Sequence, residues 1–328
     1  MMHKAVIIGC GKVAGYYDTG EFKYVHSHAS AYDETKSIEI LCCVDINIDN
    51  AKRLANKYNA VDVEKDIIKA LNEHKPNVVS VCTPDETHYE IISMILHNDF
   101  VPEVILLEKP VCSNMNELDD MISLSQKRNV CIIPNHTGRF DSKYQYIKKL
   151  IAKNFFGNLV RGDIFYYSGW KHNGLHVVDI LNFIFDTAVA IKTVVRKMPS
   201  PYPGDPTLDI VLNIKNDNAD IYLQSIDENY YQLFEFDLKF EKARLRIEDF
   251  GNRISFEKKT VNEMQENVLV LDKLVFPKTD SSPIQNLIKL ISDYLTTKDE
   301  KLLEGYRISD IADTMKTIWE GASLSGSS

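Results

Sequence analysis

The run Lys4-Ala5-Val6-Ile7-Ile8, followed at once by Gly9-Cys10-Gly11-Lys12-Val13-Ala14, constrains this chain more than any other stretch. A short apolar strand that breaks into G-x-G-x-x-A demands a tight turn and then a helix lying close against the strand. Gly9 permits the turn, Gly11 lets a pyrophosphate approach the backbone, and Ala14 allows close helix–sheet packing. The amides that follow, at Lys12 and Val13, and the dipole of the helix they open are placed to hold phosphate charge.

The alternation of strand and helix continues. Ile38–Val44 is a second apolar strand, and it ends in Asp45. An acid there can accept both ribose hydroxyls of an adenosine and repels a 2′-phosphate. Ile46 and Asn47 offer no arginine to welcome that phosphate, so NAD is expected in preference to NADP. The glycines and Asp45 are separated by an inserted loop, Tyr16 to Val25, which carries Tyr17, Asp18 and Phe22 and leads into His26-Ser27-His28-Ala29. It reads equally as an overhang on a ligand site or as a surface Ω-loop. Asp49 can cap a helix over residues 50–58, and residues 64–72 read as another helix. Residues 77–81 form a strand closed by Cys82-Thr83-Pro84, and His88 opens a helix to His97. Asn114, with Glu117 three residues on, resembles a capping box for the helix Met115–Arg128. Residues 130–133 make a last strand, ended by Pro134. This pattern predicts a Rossmann doubly wound parallel α/β sheet over residues 1–134, a dinucleotide-binding domain.

Within it, Val104-Ile105-Leu106-Leu107 reads as a strand buried on both faces, and Glu108-Lys109-Pro110 follows at the end where such a sheet opens to ligands. Proline lacks an amide hydrogen and has a fixed φ, so the chain must leave the sheet there. Lys109 is thereby held beside an apolar core, a setting suited to acid–base chemistry. Taken alone, the stretch also reads as a loop with a solvated Glu–Lys pair.

After Pro134 the texture changes. A helix is expected over 143–152, then strands over 161–168, 190–197, 208–214, Asp220–Ile226, 232–240 and 243–247, with turn signals such as Asn216-Asp217-Asn218. Consecutive strands with short turns predict an α+β domain with a large, mostly antiparallel sheet over 135–328, a substrate-binding and oligomerisation domain, with the closing helices able to pack back on the first. The last helix carries Ile308, Ile311, Ala312, Met315, Trp319 and Ala322 on one face, a core stripe. Between strand 161–168 and the next helix lies Gly169-Trp170-Lys171-His172-Asn173-Gly174-Leu175-His176-Val177-Val178-Asp179. Asn173 is a candidate N-cap, which puts His176 in the first helical turn, where the dipole favours the neutral imidazole and hence a proton acceptor. His172 and His176 have metal-like spacing, but no acidic third ligand belongs to the motif, and no metal is expected.

The formal net charge of −9 argues against nucleic acid or an anionic membrane as the main partner. No window approaches a membrane span, no secretory leader is expected, and the six cysteines form no Cys-x-x-Cys pair. They read as buried reduced thiols, which predicts a cytoplasmic protein.

The G-x-G-x-x-A turn, Thr83-Pro84-x-x-x-His88, Glu108-Lys109-Pro110 and Gly174-x-His176-x-x-Asp179 together resemble the glucose–fructose oxidoreductase/inositol dehydrogenase (Gfo/Idh/MocA) family over nearly the whole chain. The resemblance implies an NAD(P)-dependent dehydrogenase or reductase of CH–OH groups. It would transfer a hydride between nicotinamide and a secondary alcohol or ketone of a sugar, sugar derivative or sugar nucleotide. It implies a homodimer or homotetramer through the C-terminal sheet. Lys109 maps onto the family's substrate-oxygen lysine and His176 onto its acid/base, with Thr83, Pro84, His88 and Glu108 along the cofactor. Asn173, Asp179, Arg139 and Trp170 are candidate substrate contacts. Two departures stand out. Many members have an aspartate four residues before the histidine, where this chain has His172, and the common Thr-Pro-Asn is Thr-Pro-Asp here. His172 could therefore share the proton itself. Two other functions fit the same residues: an NAD-dependent glycosidase or epimerase using transient oxidation, and a catalytically silent NAD-binding regulator.

Overall fold

A computed structural model describes residues 2–18, 25–214, 219–277 and 280–326; Phe22 and the turn signal Asn216-Asp217-Asn218 lie outside them. The chain divides into two compact units, Met1–Asp141 with Thr279–Ala312, and Ser142–Lys278 with Asp313–Ser328. The division thus falls after Asp141 rather than after Pro134, and the segment Thr279–Ala312 returns to the first unit. Hydrogen bonds explain the difference. Arg139 donates to the carbonyls of Gly305 (2.7 Å) and Asp310 (3.2 Å), and Asn286 donates to the Phe140 carbonyl (2.8 Å).

The first unit is a parallel sheet of β1 (His3–Ile8), β2 (Ile38–Val44), β3 (Asp62–Glu64), β4 (Val78–Val81), β5 (Val104–Leu107) and β6 (Cys131–Pro134), in the order β3-β2-β1-β4-β5-β6. β4, β5 and β6 are buried at every residue, as their mostly apolar sequences require for strands covered on both faces. The helices are α1 (His28–Thr35), α2 (Ile48–Tyr58), α3 (Ile67–His74), α4 (His88–His97), α5 (Met115–Arg128), α6 (Thr137–Phe140) and α9 (Pro283–Thr297).

Three local expectations change. The cap of α2 is Asn47, whose side chain accepts from the Asp49 N–H, not Asp49 itself. The helix expected from residue 64 starts only at Ile67, capped by Asp66, because Asp62–Glu64 pairs with Cys42–Val44 as a sixth strand. Three residues with one apolar member show no periodicity. The segment after the glycines is a five-residue π-helical turn, Lys12–Tyr16, and the first α-helix begins at His28. Asn114 caps α5 as expected, accepting from the Glu117 N–H, but the box does not close: the Glu117 carboxylate accepts from the Ser113 N–H rather than from the Asn114 N–H.

The second unit holds an eight-stranded sheet: β7 (Leu159–Tyr167), β8 (Val189–Met198), β9 (Thr207–Ile214), β10 (Asp220–Ile226), β11 (Glu235–Phe240), β12 (Ala243–Glu248), β13 (Arg253–Val261) and β14 (Asn267–Asp272). The order is β14-β13-β12-β11-β7-β10-β9-β8; β7 and β10 pair in parallel and the other pairs are antiparallel. β13 and β14 escape the sequence reading because their side chains alternate too little and stay largely exposed. Helices α7 (Ser142–Ala152), α8 (Leu175–Phe185) and α10 (Ala312–Gly326, in this unit from Asp313) complete the unit.

Along β10 and β11 every second residue is buried, the period of a sheet with one covered face. The other face carries charge. Asp163 and Asp237 stand directly opposite each other, a repulsive register offset by Lys239 and by Arg161 and Arg244. The hydrogen bond from Arg161 leads the causes that hold the Asp163 carboxyl down at about 2. Among the described residues, no helix is long and apolar enough to cross a membrane.

Candidate active site

The strand order reverses between β1 and β4, the position where open α/β sheets bind ligands. Ile8 pairs with Val81 there, Cys82 N–H donates to the Ile8 carbonyl (2.8 Å), and Gly9 N–H donates to the Val44 carbonyl (2.8 Å). Gly9 has φ +86°, and a Cβ on it would lie 2.8 Å from the Cys82 carbonyl and from Thr83. No other residue fits. A Cβ on Gly11 would meet nothing within 4 Å. Both glycines line a cavity of about 540 Å³ with Asp45, Thr83 and Pro84. Asp45 is fixed by accepting the N–H groups of Cys10 and Asn47, each at 2.8 Å. Asn50, Lys65 and Ile67 also line this cavity. Sequence reasoning missed them because it missed β3, which delivers Lys65 to the strand ends. Lys12, Val13, His88, Glu108 and Lys109 are not part of that lining.

Glu108, at the end of β5, is 8 % exposed. His28 Nε2 lies 2.8 Å from its Oε1, and the Asn135 amide donates to the same oxygen at 2.6 Å. The Lys109 N–H reaches Oε2 at 3.4 Å. Behind His28 the chain of contacts runs from Nδ1 to Ser80 Oγ (3.1 Å) and on to Tyr32 OH (2.8 Å). Burial alone would raise the Glu108 carboxyl, but the hydrogen bond and charge of His28, then Asn135 and Lys109, hold it at about 2. His28 carried no signal in the sequence, where it read as part of a loop exit.

His88, expected along the cofactor, is enclosed instead. Its Nδ1 lies 2.8 Å from the Pro110 carbonyl and its Nε2 2.9 Å from the Thr83 carbonyl. It braces the end of β4 against the Lys109–Pro110 peptide, which is cis. Both ring nitrogens are engaged, so neither faces a ligand.

In the second unit, β7 runs into a π-helical turn, Gly169–Gly174, and then α8. His176 is the second residue of α8 and half-buried. Asn173 is not the N-cap. It lies inside the π turn, which feeds directly into α8, and its amide donates to the Ser168 carbonyl at 3.1 Å. Trp170 is fully buried, and its indole N–H donates to the Ile318 carbonyl (2.8 Å). Asp179 is buried on α8 and accepts from Thr314 Oγ1 (3.2 Å). Trp170, Asp179 and the buried Arg139, expected as substrate contacts, thus serve the framework.

His172 keeps a partly exposed ring whose Nδ1 lies 2.8 Å from Asp205 Oδ2. Asp205 was not anticipated, because it comes from a segment without periodicity 33 residues away. Among the described residues, the groups close enough to share a metal are Cys42–Asp62–His74 and Asp62–Glu64–Glu73, neither of which includes His172 or His176. All six cysteines are buried and unpaired with one another.

Residues 3–136 match the model of the oxidoreductase family with an NAD-binding Rossmann fold, GFO_IDH_MocA. That match covers about two-fifths of the chain, all of it within the first unit. Among curated relatives it is similar to the D-glucoside 3-dehydrogenase of Escherichia coli K12, 27% identical over 48% of this chain and 41% of that protein. The match thus spans less than half the length of that relative. Solved structures of this fold include an oxidoreductase from Desulfitobacterium hafniense DCB-2 assigned as NADPH-dependent, with a TM-score of 0.80 and 14% identity, covering 98% of this chain and 95% of that one. UDP-N-acetylglucosamine 3-dehydrogenase GnnA from Acidithiobacillus ferrooxidans superposes with a TM-score of 0.72 at 14% identity, covering 99% and 98%. At such identities the likeness of this chain to the solved structures is one of fold.

Proposed function

We propose that this chain catalyses reversible hydride transfer between a nicotinamide cofactor and a secondary hydroxyl of a sugar or sugar nucleotide, with carbon 3 of the ring the favoured position. The observation that carries this reading is the cavity at the strand switch point, where Gly9 can be nothing else, Gly11 is open, and Asp45 is fixed. Those residues fit a dinucleotide: the glycines would admit the pyrophosphate and Asp45 would accept ribose hydroxyls. When bound, the nicotinamide supplies the hydride acceptor or donor. Asp45 supports NAD over NADP, while Lys65 is the cationic side chain in the same lining. Carbon 3 is favoured because the glucoside dehydrogenase and the UDP-N-acetylglucosamine dehydrogenase both act there by name.

In the oxidation direction the alcohol carbon gives up hydride and its hydroxyl gives up a proton. The reading assigns the proton to His176, near the start of α8, and the developing oxyanion to Lys109. A homo-oligomer built through the charged face of the second unit's sheet belongs to the same proposal.

The test is NADH formation at 340 nm with methyl D-glucoside, myo-inositol and UDP-N-acetylglucosamine, alongside NADH and NADPH titrations by fluorescence. Turnover is expected with at least one of them, and Lys109→Ala should lose it at least 10²-fold while holding NADH within a fewfold of wild type. Full turnover in Lys109→Ala would remove the assignment. Tightly retained NAD with no net reduction of added cofactor would favour the transient-oxidation glycosidase or epimerase. NADH binding with no chemistry at all would favour the regulator.

A further inference from the structure

His172 stands where the resemblance drawn from the sequence leads one to expect an aspartate, and the second unit brings a carboxylate to it from elsewhere in the chain. Asp205 accepts three hydrogen bonds from one turn: from Lys171 N–H (2.7 Å), His172 N–H (3.1 Å) and the His172 ring at Nδ1 (2.8 Å). The turn is shaped around it. Gly169 has φ +80°, and a Cβ there would run into the Asp205 carboxylate. Just after Asp205 the two segments are laced together, Trp170 N–H to the Pro206 carbonyl and Gly169 N–H to Thr207 Oγ1, both at 2.9 Å. Tyr202 stacks on the imidazole with ring centroids 3.6 Å apart and planes 4° from parallel, which blocks rotation about the side chain.

The exposures are unequal. The Asp205 side chain is 4% accessible and the His172 side chain 25%, so a ligand can reach the ring but not the carboxylate.

We propose that Asp205 and His172 together take over the role of the missing aspartate, with His172 touching substrate and Asp205 acting as its positioning residue. A carboxylate that accepts from Nδ1–H fixes the tautomer in which Nε2 carries a lone pair. The exposed end of the pair is then a hydrogen-bond acceptor, as the aspartate would be. The difference lies in where the charge sits. Here it is buried, and a neutral nitrogen meets the ligand, which suits a sugar hydroxyl that donates its hydrogen. This inference rests on the sugar oxidoreductase reading above.

Asp205→Asn tests it. The asparagine has one oxygen where the carboxylate has two: kept at the Oδ1 place it still accepts the Lys171 N–H, while the amide nitrogen then stands at the Oδ2 place and cannot accept from the His172 N–H or from Nδ1–H. The ring then either loses its partner or switches to the Nε2–H tautomer, turning the exposed acceptor into a donor. With whichever of the three panel sugars the wild-type chain oxidises fastest, kcat/KM should fall about 10²-fold, as when an orienting partner of a histidine is lost. NADH affinity should stay close to wild type.

His172→Gln should cost a similar factor, and the double variant should be no worse than either single one, because Asp205 acts through the ring. Losses that multiply in the double variant would make Asp205 merely structural, and undiminished kcat/KM in Asp205→Asn would overturn the pairing outright. A second measurement needs no turnover. In ¹⁵N-histidine NMR at pH 8.5, the signal removed by His172→Gln should be an Nδ1–H tautomer in wild type and shift toward Nε2–H in Asp205→Asn. An Nε2–H ring in the wild-type chain refutes the proposal. Absence of oxidation of any panel sugar, by contrast, counts against the parent reading and leaves the dyad to be decided by the tautomer.

Discussion

Glu108→Gln is the most direct probe of what holds the Glu108-Lys109-Pro110 segment in place. The substitution keeps the side chain's shape and removes its charge, leaving His28 and Asn135 facing an amide. The carboxyl lies at about 2 in the folded chain against an ordinary 4.5, even though burial pushes the other way. At about 1.4 kcal/mol per tenfold change in proton affinity, that gap corresponds to about 3 kcal/mol. Breaking a buried ionic contact by removing one partner costs about 3–5 kcal/mol in general, so the two routes agree.

The sign follows from the direction of the shift. A carboxyl depressed by folding contributes its full stability above the unfolded value near 4.5, and loses it as the pH falls toward about 2. Wild type should therefore shed this contribution across that window, and the Gln variant should have none to shed. For a unit of this size, about 3 kcal/mol corresponds to a drop in Tm of roughly 6–12 °C at pH 7. Circular-dichroism melts at pH 7 and at steps down to pH 3 would measure both effects. A variant within 2 °C of wild type at pH 7, with an unchanged acid slope, would show that the His28–Glu108 contact does not carry the energy assigned to it.

Two other substitutions probe close backbone approaches. Gly9→Ala forces a side chain into φ +86° and within 2.8 Å of the Cys82 carbonyl, so NADH titrated by fluorescence should bind more than 10-fold weaker; unchanged affinity would place the dinucleotide elsewhere. Gly321→Ala drives a Cβ into the Trp170 indole, whose N–H bonds the Ile318 carbonyl, and should cost about 1–3 kcal/mol in urea unfolding with a red-shifted tryptophan emission. An unchanged midpoint would mean that the ring can move aside.

What the sequence made legible was what periodicity encodes. β5 is a continuous apolar run and reads as a doubly covered strand; the G-x-G-x-x-A turn could sit only after the first strand; α5 announced itself through Asn114 and Glu117. β3 was lost because three residues with one valine carry no period, and Lys65 was lost with it. Trp170, Arg139 and Asp179, expected as substrate contacts, are buried and bonded to their own chain. Residue type says that a side chain can bond, but not whether a carbonyl or a hydroxyl of its own chain has already taken the bond.

The same limit explains the two carboxylates that matter most here. Glu108 stands beside Lys109 in sequence, so a local reading pairs them, yet its principal partner is His28, 80 residues earlier, with Asn135 on the same oxygen. Among the influences that lower the Glu108 carboxyl, the Lys109 charge ranks behind both. The Glu–Lys–Pro motif therefore has an inward half that anchors the strand end and a second half at Lys109, and adjacency in sequence conceals the division. His172 poses the converse case. Its sequence neighbours offer no acid, and the residue looked like the loss of a charge, but the fold brings Asp205 to its ring. In both cases the pairing is decided by which strand ends and turns the topology sets side by side. A variant that breaks one of these long-range contacts is therefore more informative about the motif than a variant of the motif's own neighbours.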